Sequence, residues 1–241
     1  MKSIKTAIPS LITCTAILLG CISIVHSVNH NLALAGYFII AAGVLDFFDG
    51  MSARLLNAIT PFGKQMDSLA DAVNFGVAPA MIMYRLTENS LSALPASNTF
   101  AMLVFSYLPF IIVIFAILRL AKFNIDETQA KSFSGLPSPA NALFIAALGV
   151  AAESVRMLFL QRLTENLWFI VLTIITLSLL MVANVRMFSL KFENYAIRKN
   201  ILRYVMLAAS LVILVIFGIP GIVPVIVLYI LLSAANNIIA G

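Results

Sequence analysis

Four of the ten acidic residues lie close together, at the adjoining ends of two apolar segments. Asp46 and Asp49 are spaced i, i+3, and Asp67 and Asp71 are spaced i, i+4, so each pair shares one face of a helix. The ten-residue stretch 54–63 between the pairs is short enough for a tight antiparallel hairpin. The spacing therefore predicts that the two acidic pairs face one another.

Clustered carboxylates beside hydrocarbon repel one another, and a bound cation would neutralise the group. Oxygen ligands without histidine or cysteine favour Mg²⁺ or Mn²⁺ over zinc. One ion, or two ions about 4 Å apart, could clamp a phosphate and screen its charge during phosphoryl transfer. An ion-coupled transporter with acids in the membrane and a purely structural acidic network are the alternatives that the pattern leaves open.

Small and basic residues surround the acids. Gly50 leaves room for a ligand beside the backbone of Asp49, and Gly63 does the same at the start of the second helix. Arg54 lies one turn after Gly50, where its guanidinium can bind a phosphate through two hydrogen bonds. These neighbours favour a phosphate site over the two alternatives.

The elements that carry these residues are apolar. Of the 241 residues, 62% are hydrophobic and 10% are charged, against roughly 25% charged in a soluble domain, and the mean hydropathy is +1.05. This composition excludes a soluble globular protein, a disordered chain and a nucleic-acid-binding module. It predicts an all-α polytopic transmembrane helix bundle with short loops.

Long runs without Asp, Glu, Lys or Arg define the predicted spans, since about 20 apolar residues cross a bilayer. The charge-free runs are 6–45, 89–118, 132–152, 166–185 and 204–241. We predict about eight spans, at 9–28, 32–56, 65–87, 98–121, 137–158, 166–185, 203–219 and 222–239. No linker divides the chain, so residues 1–241 are predicted to form a single integral membrane domain.

The basic residues are distributed asymmetrically between the two sides of this predicted topology. With the N-terminus inside, twelve of the 15 lysines and arginines fall in inside segments, and three, Arg85, Arg156 and Arg162, fall outside. The positive-inside rule therefore predicts that the N-terminus and the acidic hairpin face the cytoplasm, with the protein in the cytoplasmic (inner) membrane.

The residues around the acidic hairpin resemble the complete signature of the CDP-alcohol phosphotransferase family. The signature positions are Asp46, Asp49, Gly50, Ala53, Arg54, Gly63, Asp67 and Asp71. The resemblance implies a membrane enzyme, typically a homodimer, that transfers a phosphatidyl or similar group from a CDP-linked donor to an alcohol and releases CMP. It also implies a six-span core, here 1–200, followed by an additional helical hairpin at 201–241.

The same resemblance implies a role for each signature residue. The four aspartates are expected to bind one or two Mg²⁺ or Mn²⁺ ions, and Asp71 is expected to double as the general base. The residues expected around the CDP and phosphate groups are Gly50, Ala53, Arg54, Gly63, Ser68 and Thr13.

Three further segments, 62–80, 119–124 and 133–140, resemble the phosphatidylserine synthase branch of the family. This implies CDP-diacylglycerol as the donor and L-serine as the acceptor. Other acceptors of the family, namely glycerol 3-phosphate, inositol phosphate or choline, remain the alternative. A phosphorylated acceptor would require additional basic residues in its pocket, and the sequence offers few.

Serine is a zwitterion, so its binding site needs a partner for the carboxylate. Arg119 is the candidate for this partner, and Lys122 and Asn124 are candidates beside it at the cytoplasmic end of the fourth predicted span. Asn141 departs from the pattern of the branch, which has alanine at this position.

Overall fold

The computed structural model describes residues 2–93, 99–125, 135–185, 187 and 200–240, and these ranges contain no β-strand. The α-helices are α1 (Lys2–Val28), α2 (Leu32–Leu55), α3 (Pro61–Asp71), α4 (Ala78–Ser92), α5 (Thr99–Tyr107), α6 (Ile111–Ile125), α7 (Ser138–Ala152), α8 (Leu158–Thr164), α9 (Leu167–Val182), α10 (Ile201–Phe217) and α11 (Ile222–Ala240). A π-helical stretch, Ala72–Val77, joins α3 to α4. The predicted all-α architecture is confirmed.

Several helices have the length and composition of membrane spans. Among the described residues, three segments are long and apolar enough to cross a membrane, and one bent pair of helices passes the same test when taken together. The three are Lys5–Val28, Leu32–Leu55 and Met102–Ile125, and the bent pair is Ser138–Ala152 with Val155–Thr164. Shorter apolar helices follow at Leu167–Val182, Ile201–Phe217 and Ile219–Ala235. The chain is a polytopic membrane protein, and the number of eight spans stays a prediction.

The predicted fifth span, 137–158, is interrupted. α7 ends at Ala152, and the chain then bends by 104° into the short helix that contains α8. At this bend, Glu153 Oε1 accepts a hydrogen bond from the backbone N–H of Leu32 at 2.6 Å. Glu153 thus satisfies an N–H group at the start of α2 that has no partner within that helix.

Two other predicted spans differ in detail. The third belongs to a longer helical run that starts at Pro61 and continues through the π-helical stretch to Ser92. The fourth is divided into α5 and α6 by a 3₁₀ turn at Leu108–Phe110. Pro109 lies in this turn, and proline lacks the N–H group that a continuous α-helix requires. Five of the basic residues used to predict the topology lie outside the described residues: Lys131, Arg186, Lys191, Arg198 and Lys199.

The core lies around α7, which packs on α2, α4 and α11. All but one of the residues from Asn141 to Ala151 are buried. α1 packs along α2, and the π-helical stretch packs on α1, α6 and α7. The acidic hairpin is therefore held between α1 on one side and the centre of the bundle on the other.

Gly36 permits the close approach of α2 to α7. A Cβ atom at this position would lie 2.4 Å from the carbonyl oxygen of Ala146 and 2.9 Å from Val150 Cγ2. We expect Gly36→Ala to lower the free energy of unfolding by about 1–3 kcal/mol, because the two helix backbones must separate. Thermal unfolding of the detergent-solubilised protein measures this effect.

The matched control for this prediction is Gly43→Ala in the same helix. A Cβ atom at Gly43 would meet its nearest neighbour, Phe75 Cε1, at an ordinary 3.6 Å. Equal midpoint temperatures of thermal unfolding for Gly36→Ala and Gly43→Ala would contradict the packing role of Gly36.

Candidate active site

The hairpin between α2 and α3 brings the acidic residues together. α2 ends at Leu55, and α3 begins at Pro61 after the short loop 56–60. Thr60 caps α3, because its hydroxyl accepts a hydrogen bond from the Gly63 N–H at 3.0 Å, and Pro61 occupies the first helical position, where proline is favoured. The chain therefore reverses sharply, and the acidic ends of the two helices lie side by side.

Three carboxylates converge at this point. Asp46, Asp49 and Asp67 each offer one oxygen atom, and these atoms lie within 4.8 Å of one another. Asp49 is buried, Asp46 is half-buried and Asp67 is exposed. Thr13 of α1 donates a hydrogen bond to Asp49 Oδ2 at 2.6 Å, which fixes the orientation of the buried carboxylate.

Asp71 lies beside this three-residue cluster rather than within it. Its carboxyl group pairs with that of Asp46. The other oxygen, Oδ1, is buried and has no hydrogen-bond partner among the described residues. The π-helical stretch begins directly after Asp71, a feature often found at functional sites. Asp71 thus keeps one buried carboxylate oxygen available to a bound molecule.

A pocket of about 220 Å³ opens beside the cluster, between α1, α2 and α3. Asp49 and Asp67 line this pocket. Five of the six residues expected around the CDP and phosphate groups also line it: Thr13, Gly50, Ala53, Arg54 and Gly63. The sixth, Ser68, is not among the lining residues, and its hydroxyl accepts a hydrogen bond from Asn124 Nδ2 at 2.9 Å.

The two signature glycines face this pocket in different ways. Arg54 is exposed, and its Nε donates a hydrogen bond to the Gly50 carbonyl at 3.0 Å. A Cβ atom on Gly50 would meet only Arg54 Nη2, at 3.6 Å, so packing within the protein does not require glycine there. A Cβ atom on Gly63 would lie 3.1 Å from the capping hydroxyl of Thr60. The space beside Gly50 is therefore open at the pocket wall, while the space beside Gly63 is limited by the helix cap.

The three residues predicted to bind serine have different hydrogen-bond partners. Arg119 is buried, donates a hydrogen bond from Nη1 to Ser138 Oγ at 3.3 Å, and lies within electrostatic range of Asp71 and of Tyr229 on α11. Lys122 is exposed and donates to Asn184 Oδ1 at 2.9 Å. Of the four aspartates, Asp71 is thus the residue near Arg119, whereas Lys122 is turned away to a residue just after α9. Asn124 instead donates to Ser68, as described above.

Comparison with known proteins identifies the family to which the chain belongs. The sequence model of the CDP-alcohol phosphatidyltransferase family matches residues 6–164, which include the whole acidic hairpin and Arg119. The chain belongs to this family. Membership in the CDP-alcohol phosphatidyltransferase family confirms the resemblance found in the signature residues and makes the chain an enzyme rather than an ion-coupled transporter.

Individual CDP-alcohol phosphatidyltransferases resemble the chain at moderate identity. A CDP-diacylglycerol–serine O-phosphatidyltransferase from Bacillus subtilis is 40% identical over 132 residues, which are 55% of this chain and 69% of the relative. The enzyme of the same name from Helicobacter pylori (strain J99) is 34% identical over 204 residues, 83% of this chain and 79% of the relative. An archaetidylserine synthase from Methanothermobacter thermautotrophicus is 33% identical over 147 residues, 58% of this chain and 57% of the relative.

The site of this CDP-alcohol phosphatidyltransferase also contains polar residues that sequence reasoning missed. The pocket is also lined by Thr6, Ser10, Thr60 and Lys64. A Thr-Pro pair directly before an amphipathic stretch is a helix-start signal, so Thr60 could have been found from its cap. The contributions of Thr6 and Ser10 depend on the packing of α1 against the hairpin, for which the sequence has no local signal.

The donor set of the three-residue cluster fits a divalent cation. Three carboxylates can reach one point, and they are hard oxygen ligands, which Mg²⁺ and Mn²⁺ prefer. Among the described residues, none of the three forms an ion pair with a lysine or arginine within 4.0 Å. Within the described ranges, their negative charge therefore has no compensating side chain at contact distance, which favours a metal site.

Proposed function

We propose that the protein transfers the phosphatidyl group from CDP-diacylglycerol to the hydroxyl group of L-serine and releases CMP, with Mg²⁺ or Mn²⁺ as the cofactor. The observation that carries the proposal is the convergence of three carboxylates beside a pocket lined by the signature residues of the family. The names of the relatives from B. subtilis and H. pylori support this donor and this acceptor.

In this proposal the acidic cluster binds the metal, and the pocket binds the diphosphate end of the donor. Asp46, Asp49 and Asp67 would hold the metal, with Asp71 beside them. The metal, when bound, neutralises charge on the diphosphate and makes its phosphorus more electrophilic. Arg54 lies at the pocket wall, and its guanidinium is free to leave the Gly50 carbonyl for a phosphate oxygen. The pocket suits the diphosphate end of the donor, while the acyl chains extend into the surrounding lipid.

Asp71 is the general base in this proposal. The serine oxygen forms a bond to the phosphorus that carries diacylglycerol, and the bond from that phosphorus to the bridging oxygen breaks. CMP leaves with the bonding electron pair, and Asp71 Oδ1 accepts the proton of the serine hydroxyl. The buried, unpartnered state of Oδ1 supports this role, because a carboxylate oxygen without a donor can accept a proton directly.

The distribution of basic side chains favours serine over a phosphorylated acceptor. Arg54 and Lys64 lie at the donor pocket, and Lys122 is turned toward Asn184. Of the basic residues that the structure describes, Arg119 is then the one buried within electrostatic range of Asp71. A single guanidinium matches the single carboxylate of serine, whereas a phosphate monoester carries close to two charges.

The cellular arrangement is part of the same proposal. The excess of basic residues in predicted inside segments supports a cytoplasmic N-terminus and a cytoplasmic active site, in the inner membrane. The chain would act as a homodimer, with a core at 1–200 and an additional hairpin at 201–241. Water-soluble serine would then reach the site from the cytoplasm, and the lipid donor would arrive from the bilayer.

The test is an acceptor screen on the purified protein in mixed micelles that contain CDP-diacylglycerol. We expect CMP release that requires both a divalent cation and L-serine. Glycerol 3-phosphate, inositol phosphate and choline serve as comparison acceptors, and reactions with EDTA serve as the metal-free control. Stimulation by one of these alcohols and not by serine would show that the substrate assignment is wrong while leaving the transferase chemistry in place.

A further inference from the structure

Asn141 is a buried amide without a partner. It lies in the first turns of α7 with 0% of its surface exposed, and neither Oδ1 nor Nδ2 has a hydrogen-bond partner among the described residues. An unpaired amide inside a protein is destabilising, because its polar atoms lose their hydrogen bonds to water without gaining others. A side chain that destabilises the free protein in this way is expected to have a partner in another state of the protein.

Asn141 lies close to the acceptor side of the active site. Ser138 is one turn earlier on the same helix, is also fully buried, and accepts the hydrogen bond from Arg119. The Arg119 Nε atom is buried and has no hydrogen-bond partner of its own among the described residues. Arg119 and Asn141 therefore present unsatisfied polar atoms from α6 and α7 at the same level of the bundle.

Arg119 and Asp71, both within the described residues, are not in direct contact. They interact electrostatically, yet in the described part of the chain Arg119 forms no ion pair within 4.0 Å. Each of them keeps one buried atom unpaired, Nε in Arg119 and Oδ1 in Asp71. A molecule with a hydroxyl group at one end and a carboxylate at the other would satisfy both.

We propose that Asn141, with Arg119 and Ser138, forms the binding site for the head group of the acceptor, a small zwitterionic amino acid that carries a hydroxyl group. The hydroxyl group lies at Asp71, the carboxylate lies at Arg119, and the ammonium group donates a hydrogen bond to Asn141 Oδ1. This inference rests on the proposed function and adds to it a residue that selects the acceptor. When alanine replaces Asn141, the acceptor keeps its contacts with Arg119 and Asp71. Asn141 therefore strengthens acceptor binding but is not essential for it.

The experiment compares the full-length wild-type protein with Asn141→Ala in the micellar assay. We expect the KM for L-serine to rise roughly tenfold to a hundredfold, the range of a hydrogen bond to a charged group, with the KM for CDP-diacylglycerol unchanged. 3-Hydroxypropionate lacks the ammonium group, so the preference for serine over this acceptor should fall by a similar factor. Ser90→Ala is the matched control, because Ser90 is also buried with an unpartnered hydroxyl, roughly 28 Å along the helical run from Asp71.

Thermal unfolding without substrate separates a binding role from a structural one. A binding role predicts that Asn141→Ala unfolds at the same temperature as the wild type or higher, because the variant no longer buries an unpaired amide. An Asn141→Ala protein that unfolds at a lower temperature, or one whose KM for serine is unchanged, would overturn the inference. A wild-type protein that shows no serine-dependent CMP release would overturn the proposed function itself, which is a separate result.

Discussion

Asp71→Asn is expected to reduce serine-dependent CMP release by roughly 10²–10⁴-fold while donor binding remains largely intact. The amide has the size of the carboxyl group and can still hydrogen-bond to Asp46, but it cannot accept the proton of the acceptor hydroxyl. Asp71 also lies outside the group of three carboxylates that converge within 4.8 Å, so the metal ligands remain. Single-turnover CMP release and equilibrium binding of CDP-diacylglycerol measure the two effects separately.

Glu165→Gln is the matched control for this prediction, because Glu165 is an exposed acid between α8 and α9, away from the hairpin. It should keep wild-type activity. An Asp71→Asn protein that turns over at the wild-type rate, or one that loses only donor binding, would show that Asp71 is not the base.

Asp67→Asn is expected to raise the divalent-ion concentration for half-maximal activity on the order of 100-fold, because the cluster loses one of three charged oxygen ligands. Donor affinity should fall with it, since the metal holds the diphosphate. Asp67 is exposed, so the substitution should leave folding intact. Activity measured across a titration of Mg²⁺ or Mn²⁺ gives the shift.

The two variants should respond differently to added metal. A high concentration of Mn²⁺ should restore part of the activity of Asp67→Asn, because the remaining carboxylates still bind the ion weakly. It should not restore Asp71→Asn, whose defect is in proton transfer. Equal rescue of both variants would contradict the division of the four aspartates into three metal ligands and one base.

The acidic hairpin was predictable from the sequence because its geometry is local. Spacings of three and four residues place side chains on one helix face in any protein, and a short loop forces the two helices to be antiparallel. The structure accordingly brings Asp46, Asp49 and Asp67 together. The separate position of Asp71 was not predictable, because the spacing alone does not show that its carboxyl group pairs with that of Asp46.

Arg119 and Lys122 look equivalent in the sequence but differ in burial. Arg119 and Lys122 share a helix face by spacing, yet Arg119 is buried near Ser138 and Lys122 reaches the surface at Asn184. Position 141 is marked in the sequence only as a departure from a pattern, and its unpaired amide becomes visible only when α7 is placed at the centre of the bundle. The hydrogen bond of Glu153 to the start of α2 likewise joins residues more than one hundred positions apart, so the sequence has no local signal for it.

The central claim is that bound divalent cations make this cluster of carboxylates tolerable at the membrane and allow it to hold a diphosphate. Electron paramagnetic resonance of Mn²⁺ added to the purified wild-type protein measures that binding directly, with and without CDP-diacylglycerol. We expect saturable binding of about one or two ions per chain, tighter with the donor present and weaker in Asp67→Asn. Free Mn²⁺ signals that do not change on addition of the protein, even with the donor lipid present, would contradict it.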